Sequence, residues 1–345
     1  MVPEPHVFQV DISRRNVVQV FPNGNGIRWY GTRWTDDGKY IEVYASRAQV
    51  YADILMLIDP QNARYTSDTQ VIEGENILGV TNELPFTLED RESLWAGCQK
   101  ENVFFTAKYL DSKYGFWETR LWKGSQLIKT FPPIRFHFDL YQGGFNDDPV
   151  GWTIEYSHFS PDCRYDILPL GKDVWLLDTV EKSFSRIFEI RSSLHDIVQG
   201  SHAYMWPSWA PNSREFVFGD GRFGNEKYDV QSKKRSWLLG PDFAGGAIEW
   251  SKTGRWILGY FNQSMSVISP DGRNIGTLAG CENIQHPSWS PEDIHASTED
   301  PSWSPTDDKV AFICKQYDQS SCKDGNCEKE ESFLVIWDLS NLDHE

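Results

Sequence analysis

Three histidines carry the clearest chemical potential in this chain. His158, His202 and His286 each lie just before, or within, a candidate first strand or the turn that follows it. Neutral imidazoles converging from such positions, joined by Asp or Glu, can hold a divalent metal. His295 is a fourth candidate, and Trp206 and Trp289 offer flat apolar faces to a ligand beside them. The histidines fall in different segments, so spacing alone leaves two readings open: a metal centre, or residues that simply precede the next strand. No other cofactor is expected.

The six cysteines are Cys98, Cys163, Cys281, Cys314, Cys322 and Cys327. Cys322 and Cys327 flank Lys-Asp-Gly-Asn, a turn able to bring their Cα atoms within disulfide range. A disulfide there implies an oxidising compartment. Two thiols on a loop are the alternative, and the spacing offers no fourth ligand for zinc. Asp318, Asp324, Asn326 and Glu328 could supply oxygens to calcium, but their spacing fits no EF-hand loop. Gly219-Asp-Gly-Arg-Phe-Gly224 matches G-x-G-x-x-G, yet a strand pattern follows it, so no helix N-terminus is expected to receive a pyrophosphate. Ser269-Pro-Asp-Gly272 reads as a turn. Nucleophile-elbow, zincin and P-loop patterns do not occur in the sequence.

The elements that must position these residues follow a repeat. An aromatic anchor, usually Trp, is followed by a turn of Pro, Asp, Asn, Gly or Lys, and seven residues after the anchor an apolar residue opens a second strand. Trp34 leads to Ile41, Trp209 to Phe216, Trp250 to Ile257 and Trp303 to Val310. Self-similarity of this kind, with turn signals every ten or so positions and apolar–polar alternation between them, predicts antiparallel four-stranded units. Trp95 and Phe159 anchor two further units, giving six. The anchors are about 41 to 64 residues apart, so the longer intervals need insertions, for which Glu73 to Arg91 and Tyr141 to Pro149 are candidates. Such insertions sit on rims, where binding loops also sit.

The stretches Pro207-Ser-Trp-Ala-Pro-Asn-Ser-Arg-Glu-Phe-Val-Phe218 and Pro301-Ser-Trp-Ser-Pro-Thr-Asp-Asp-Lys-Val-Ala-Phe312 resemble the WD40-like (PD40) repeat of TolB-type β-propellers. The resemblance implies an all-β propeller of about six four-stranded antiparallel blades, seven being possible, and an extracytoplasmic, periplasmic or secreted location. The N-terminal α/β domain of TolB has no counterpart in the pattern. A single domain over residues 1–345 is expected, with strand 16–21 pairing with the last unit, 301–339. Phe8 to Ser13 matches Val335 to Ser340 in pattern, so the two ends offer competing third strands.

Composition narrows the partners. A formal net charge of −17 disfavours nucleic acid and anionic membrane surfaces, and no apolar run approaches the ~20 residues that span a bilayer. The start lacks the basic and apolar regions of a signal peptide. The expected role is a non-enzymatic binding or scaffold module for protein or glycan ligands, acting through the channel mouth and rim loops. The alternative is a metal-assisted polysaccharide lyase or hydrolase that uses His158, His202 and His286.

Overall fold

The computed structural model describes residues 6–10, 15–19, 27–35, 37–47, 53–59, 64–65, 70–72, 84–111, 116–135, 158–170, 173–190, 207–219, 224–240, 245–261, 264–278, 302–304, 306, 308–317, 322–323, 326–327, 330–340 and 342. These residues are all-β apart from one 3-10 turn, Gln99–Glu101. They form six mainly antiparallel sheets, each with the first strand of its unit, its inner strand, at one edge, and a two-stranded hairpin, Cys322–Lys323 with Asn326–Cys327.

The first sheet comprises Ile27–Trp34, Ile41–Arg47 and Asp53–Asp59, with Arg64–Tyr65 and Gln70–Ile72 both pairing with the third strand. The second orders Glu92–Cys98, Val103–Asp111, Phe116–Lys123 and Gln126–Thr130, with Ile134–Arg135 added on Phe116–Lys123. The third contains His158–Phe159, Tyr165–Leu170, Asp173–Asp178 and Ser183–Glu189. The fourth contains Ser208–Trp209, Glu215–Gly219, Asn225–Asp229 and Lys234–Leu239. The fifth runs through Gly245–Trp250, Ile257–Phe261, Ser264–Ile268 and Asn274–Thr277. The sixth takes Ser302–Trp303, Lys309–Tyr317 and Glu330–Asp338 from the end of the chain and Arg15–Gln19 from its beginning.

The seven-residue interval of the sequence is a pairing register. In five sheets the anchor closes the inner strand directly opposite the residue seven positions on: Trp34 faces Ile41, Phe159 faces Asp166, Trp209 faces Phe216, Trp250 faces Ile257 and Trp303 faces Val310. Six residues lie between, and their chemistry explains the Ser-Pro-Asp pattern. In the third sheet Ser160 N–H donates to the Tyr165 carbonyl (2.7 Å) and Cys163 N–H to the Ser160 carbonyl (2.8 Å). The Ser160 hydroxyl donates to Asp162 (2.6 Å) and accepts from Tyr165 N–H (2.9 Å), while Asp162 accepts from Arg164 N–H (3.0 Å). Thr35 and Asp37 repeat this arrangement in the first sheet, as do Ser269 and Asp271 in the outer hairpin of the fifth. Short polar side chains thus satisfy the turn's own backbone donors. Ala210 has no hydroxyl, and Asn212 takes over by accepting from Arg214 and Glu215 N–H.

In five of these turns the fourth residue is left-handed: Gly38 (φ 69°), Cys163 (60°), Ser213 (55°), Gly254 (80°) and Gly272 (73°). At Gly272 the requirement is absolute, because a Cβ would run into the Leu238 carbonyl of the neighbouring sheet. The second sheet departs from the pattern. Its anchor Trp95 lies at a register shift, and Cys98 pairs with Val103 across a tighter turn.

Faces of consecutive sheets bury one another. Trp95, Phe105, Trp117 and Leu121 of the second pack with Leu168, Leu170 and Leu177 of the third. Ile167 and Val174 pack with Phe216, Phe218 and Tyr228 of the fourth. Val217 and Leu238 meet Ile248 and Ile257 of the fifth, and Trp256, Leu258 and Val267 meet Trp303, Phe312 and Trp337 of the sixth. Each buried side chain of this size contributes about 1.5–3 kcal/mol. The sixth sheet, through Ser302–Trp303 and Lys309–Tyr317, also lies against Ile27–Trp34 of the first.

The turns interlock as well. Ser213 Oγ accepts from Asp162 N–H (3.0 Å), and Gly254 lies against the Pro211 ring. At the equivalent place between the second and third sheets stands a disulfide, Cys98–Cys163, with a Cα separation of 5.9 Å. This pairing was not foreseen from the sequence. The first N-terminal strand also differs from expectation. Rather than competing for the sixth sheet, His6–Gln9 adds in parallel to Asn274–Thr277 at the edge of the fifth, and Val10 is buried between the fifth and sixth. Pattern similarity between Phe8 to Ser13 and Val335 to Ser340 does not by itself specify a partner.

Two stability outcomes follow. Reducing Cys98–Cys163, or replacing it with Cys98→Ser/Cys163→Ser, releases a closed loop with a sequence separation of 65 and lowers unfolding free energy by up to about 4 kcal/mol. Cys98→Ser/Cys163→Gly recovers about 1 kcal/mol of that, since glycine accepts the left-handed backbone. Urea midpoints with and without reductant check both effects, and identical midpoints contradict the first. Gly272→Ala costs at least about 1–2 kcal/mol. Gly240→Ala, whose added Cβ meets nothing within 4 Å, serves as the neutral control.

Candidate functional site

Of the residues singled out by their chemistry, His202, His286, His295, Trp206 and Trp289 lie outside the described residues. His158 opens the inner strand of the third sheet with its backbone paired to Ile167. Cys322 and Cys327 are direct register partners across a two-stranded hairpin, Cys322–Lys323 with Asn326–Cys327. Among the described residues no three metal-ligating side chains come together, and no helix is long and apolar enough to cross a membrane. Gly219 and Asn225 are register partners of an antiparallel pair, so the G-x-G-x-x-G stretch connects a hairpin.

The richest group of polar and aromatic side chains sits on the second sheet, on the face opposite its packed core. Period-two alternation puts Phe104, Thr106 and Lys108 of one strand, and Glu118, Arg120 and Trp122 of the next, on that side. The end of the Glu73 to Arg91 insertion folds over them. Phe86 stacks on Trp122 (centroids 4.2 Å, 10° between planes) and meets Phe104 edge-on (5.8 Å). Both stacked rings are half-buried, leaving an aromatic ledge in contact with solvent.

Charges line this ledge in one connected network. Arg120 pairs with Glu89 (2.6 Å), Glu118 (2.8 Å) and Glu92 (3.3 Å). Lys108 reaches the other oxygen of Glu89 (2.5 Å), and Trp122 Nε1–H donates to Thr106, whose hydroxyl donates to Glu92. The Arg120 guanidinium, with help from Lys108, holds the Glu89 carboxyl down to about 2. The same carboxylate keeps the Arg120 pKa raised. Glu89 is therefore ionised across the physiological range and is a poor proton donor. Three carboxylates against two cations leave the ledge net negative, with an aromatic surface beside it, and such a surface suits contact with a sugar ring or a basic side chain. Sequence reasoning marked the insertion as a rim segment but not these residues. Their signal was the alternation Glu118-x-Arg120-x-Trp122 on a strand whose intervening residues are core.

Other ionic contacts tie sheets together. Arg235 bonds Glu226 with both nitrogens (2.7 and 2.9 Å), lies over Phe188 (4.5 Å) and donates to the Glu189 carbonyl of the third sheet. Lys227 donates to the Pro270 carbonyl of the fifth (2.7 Å). One ionisable group is different. Asp166 is fully buried, and neither carboxyl oxygen makes a hydrogen bond. Burial pushes its pKa well above the usual carboxylate range.

No family model matches the chain, and no curated protein matches it. Solved structures similar to it include TolB from Acinetobacter baumannii, at 13% identity and a TM-score of 0.39, covering 91% of this chain and 65% of that one. This chain thus spans just under two thirds of that protein's length. A putative TolB from Agrobacterium tumefaciens is similar at 11% identity and a TM-score of 0.40, over 90% of each chain. A chain of a mitotic checkpoint complex is similar at 11% identity and 0.38, over 89% of this chain and 75% of that one.

Proposed function

We propose that the six sheets are the blades of one β-propeller over residues 1–345, sealed by Arg15–Gln19 pairing with Glu330–Asp338, and that the chain is a non-enzymatic binding or scaffold module. The observation that carries this reading is the packing order. The second to sixth sheets bury faces in succession, and the sixth then lies against the first. A straight stack in that order would separate the first and second sheets by about five spacings of roughly 10 Å. The link from Ile72 to Phe86, about fourteen residues, would then have to be drawn out to its full reach of roughly 50 Å. A ring removes that demand.

Interlocked turns, a disulfide and cross-sheet hydrogen bonds make such a ring a preformed platform, so little ordering entropy opposes ligand capture. Protein or glycan ligands fit the chemistry of the partly exposed Phe86–Trp122 group, which combines aromatic surface with carboxylates. The charge of −17 favours basic or hydroxyl-rich partners over polyanions. The Cys98–Cys163 bond supports an oxidising, extracytoplasmic setting.

Elemental analysis of the purified chain tests the non-enzymatic reading. Substoichiometric Mn, Zn and Ca after chelator washing is the expected result. A stoichiometric metal that survives washing and is lost in His202→Ala or His286→Ala would overturn it in favour of a metal-assisted polysaccharide lyase or hydrolase.

A further inference from the structure

Asp166 breaks the rule on which the repeat is built. The corresponding residues, seven after the anchor, are Ile41, Phe216, Ile257 and Val310, all apolar and all at 0% exposure. Asp166 occupies the same register opposite Phe159 and is equally buried, so packing alone does not account for a carboxyl there. Its strand alternation sets it on the side of Leu168 and Leu170, and its other cross-strand partner is Leu177. These three leucines pack against the second sheet, so Asp166 lines the interface between the second and third sheets.

The second sheet's half of that interface holds three more polar side chains without partners. Trp95 Nε1, Trp117 Nε1 and Thr119 Oγ1 are buried and unbonded. Trp95 and Trp117 lie with centroids 5.5 Å apart, and Thr119 follows Trp117 by two residues on the same face. The Cys98–Cys163 bond fixes the two halves in depth. Three residues back from Cys98 along its strand is Trp95, and three residues on from Cys163 is Asp166.

Five unpaired polar atoms in one otherwise apolar interface would each cost about 1–3 kcal/mol if left so. The two indole N–H groups only donate, whereas a carboxyl accepts and, when protonated, also donates. Water complements both, and a polar interior site with two to four partners is where buried water resides. We propose that Asp166, Trp95, Trp117 and Thr119 form an internal hydration site between the second and third sheets, in which one or two water molecules bridge the carboxyl to the indole and hydroxyl groups. Asp166 thereby joins these two sheets through solvent, where the register-equivalent residues Ile41, Phe216, Ile257 and Val310 offer only apolar contact.

A crystal structure of the full chain at about 1.5 Å, with a parallel bromide soak, tests the proposal. One or two solvent peaks within hydrogen-bond distance of Asp166 and at least one indole nitrogen are expected. They should persist in Asp166→Asn and be lost in Asp166→Leu. Oxygen-17 relaxation dispersion in solution should report the same loss of long-lived internal water between the wild type and Asp166→Leu. Direct protein contacts to Asp166 with no solvent peak would overturn it. So would anomalous bromide density at the site, which would mark an anion site instead, and so would peaks and dispersion that are unchanged in Asp166→Leu.

Discussion

Everything in this fold depends on one short-range constraint: a large aromatic side chain held at the end of an inner strand, directly opposite the first residue of the next strand, across a six-residue turn. The turn is self-sufficient because its hydroxyl and carboxylate bond its own backbone amides. Its fourth residue is left-handed, which bends the chain sharply enough to bring the register pair together. The anchor is thereby fixed in both position and depth, and the apolar residue opposite it points into the preceding sheet. Repeating this unit produces faces that match their neighbours without long-range instruction.

That locality explains why so much was legible in the sequence. The interval from Trp209 to Phe216, or Trp303 to Val310, encodes a turn and a register at once, and the structure reproduces both. The second sheet was harder to read because Trp95 sits at a shift in register and its turn is shorter. What the sequence did not disclose depends on contacts between units. Cys98 and Cys163 are distant along the chain and meet only because consecutive turns stack. The parallel placement of His6–Gln9 is likewise set by the edge that the fifth sheet exposes, since so short a strand does not choose between partners. The ledge residues Arg120 and Trp122 share a strand with core residues, so only the fold separates the two faces.

The interfaces between sheets are not equivalent, and their differences bear on function. The fourth and fifth sheets meet through apolar packing with a lysine–carbonyl bond, and the third and fourth through an arginine that lies over the stacked Phe188 and Phe218 rings and bonds the Glu189 carbonyl. The second and third combine a disulfide at the turn end with a buried carboxyl and two buried indoles. The second sheet also carries the half-exposed aromatic ledge on its other face. Its turn is therefore fastened covalently to one neighbour, while its other face carries a connected group of charges and aromatic rings.

The account rests on the sheets forming a ring rather than a row, and the distance between the first and second sheets decides between them. Spin labels carried on noncanonical amino acids at the exposed positions Lys39 and Lys100, with the native cysteines left in place, would report it by pulsed electron resonance. A ring predicts a separation of about 10–20 Å, like that of labels at Lys100 and Arg164 on the adjoining second and third sheets. A separation near 50 Å, the length of a straight six-sheet stack, would contradict it.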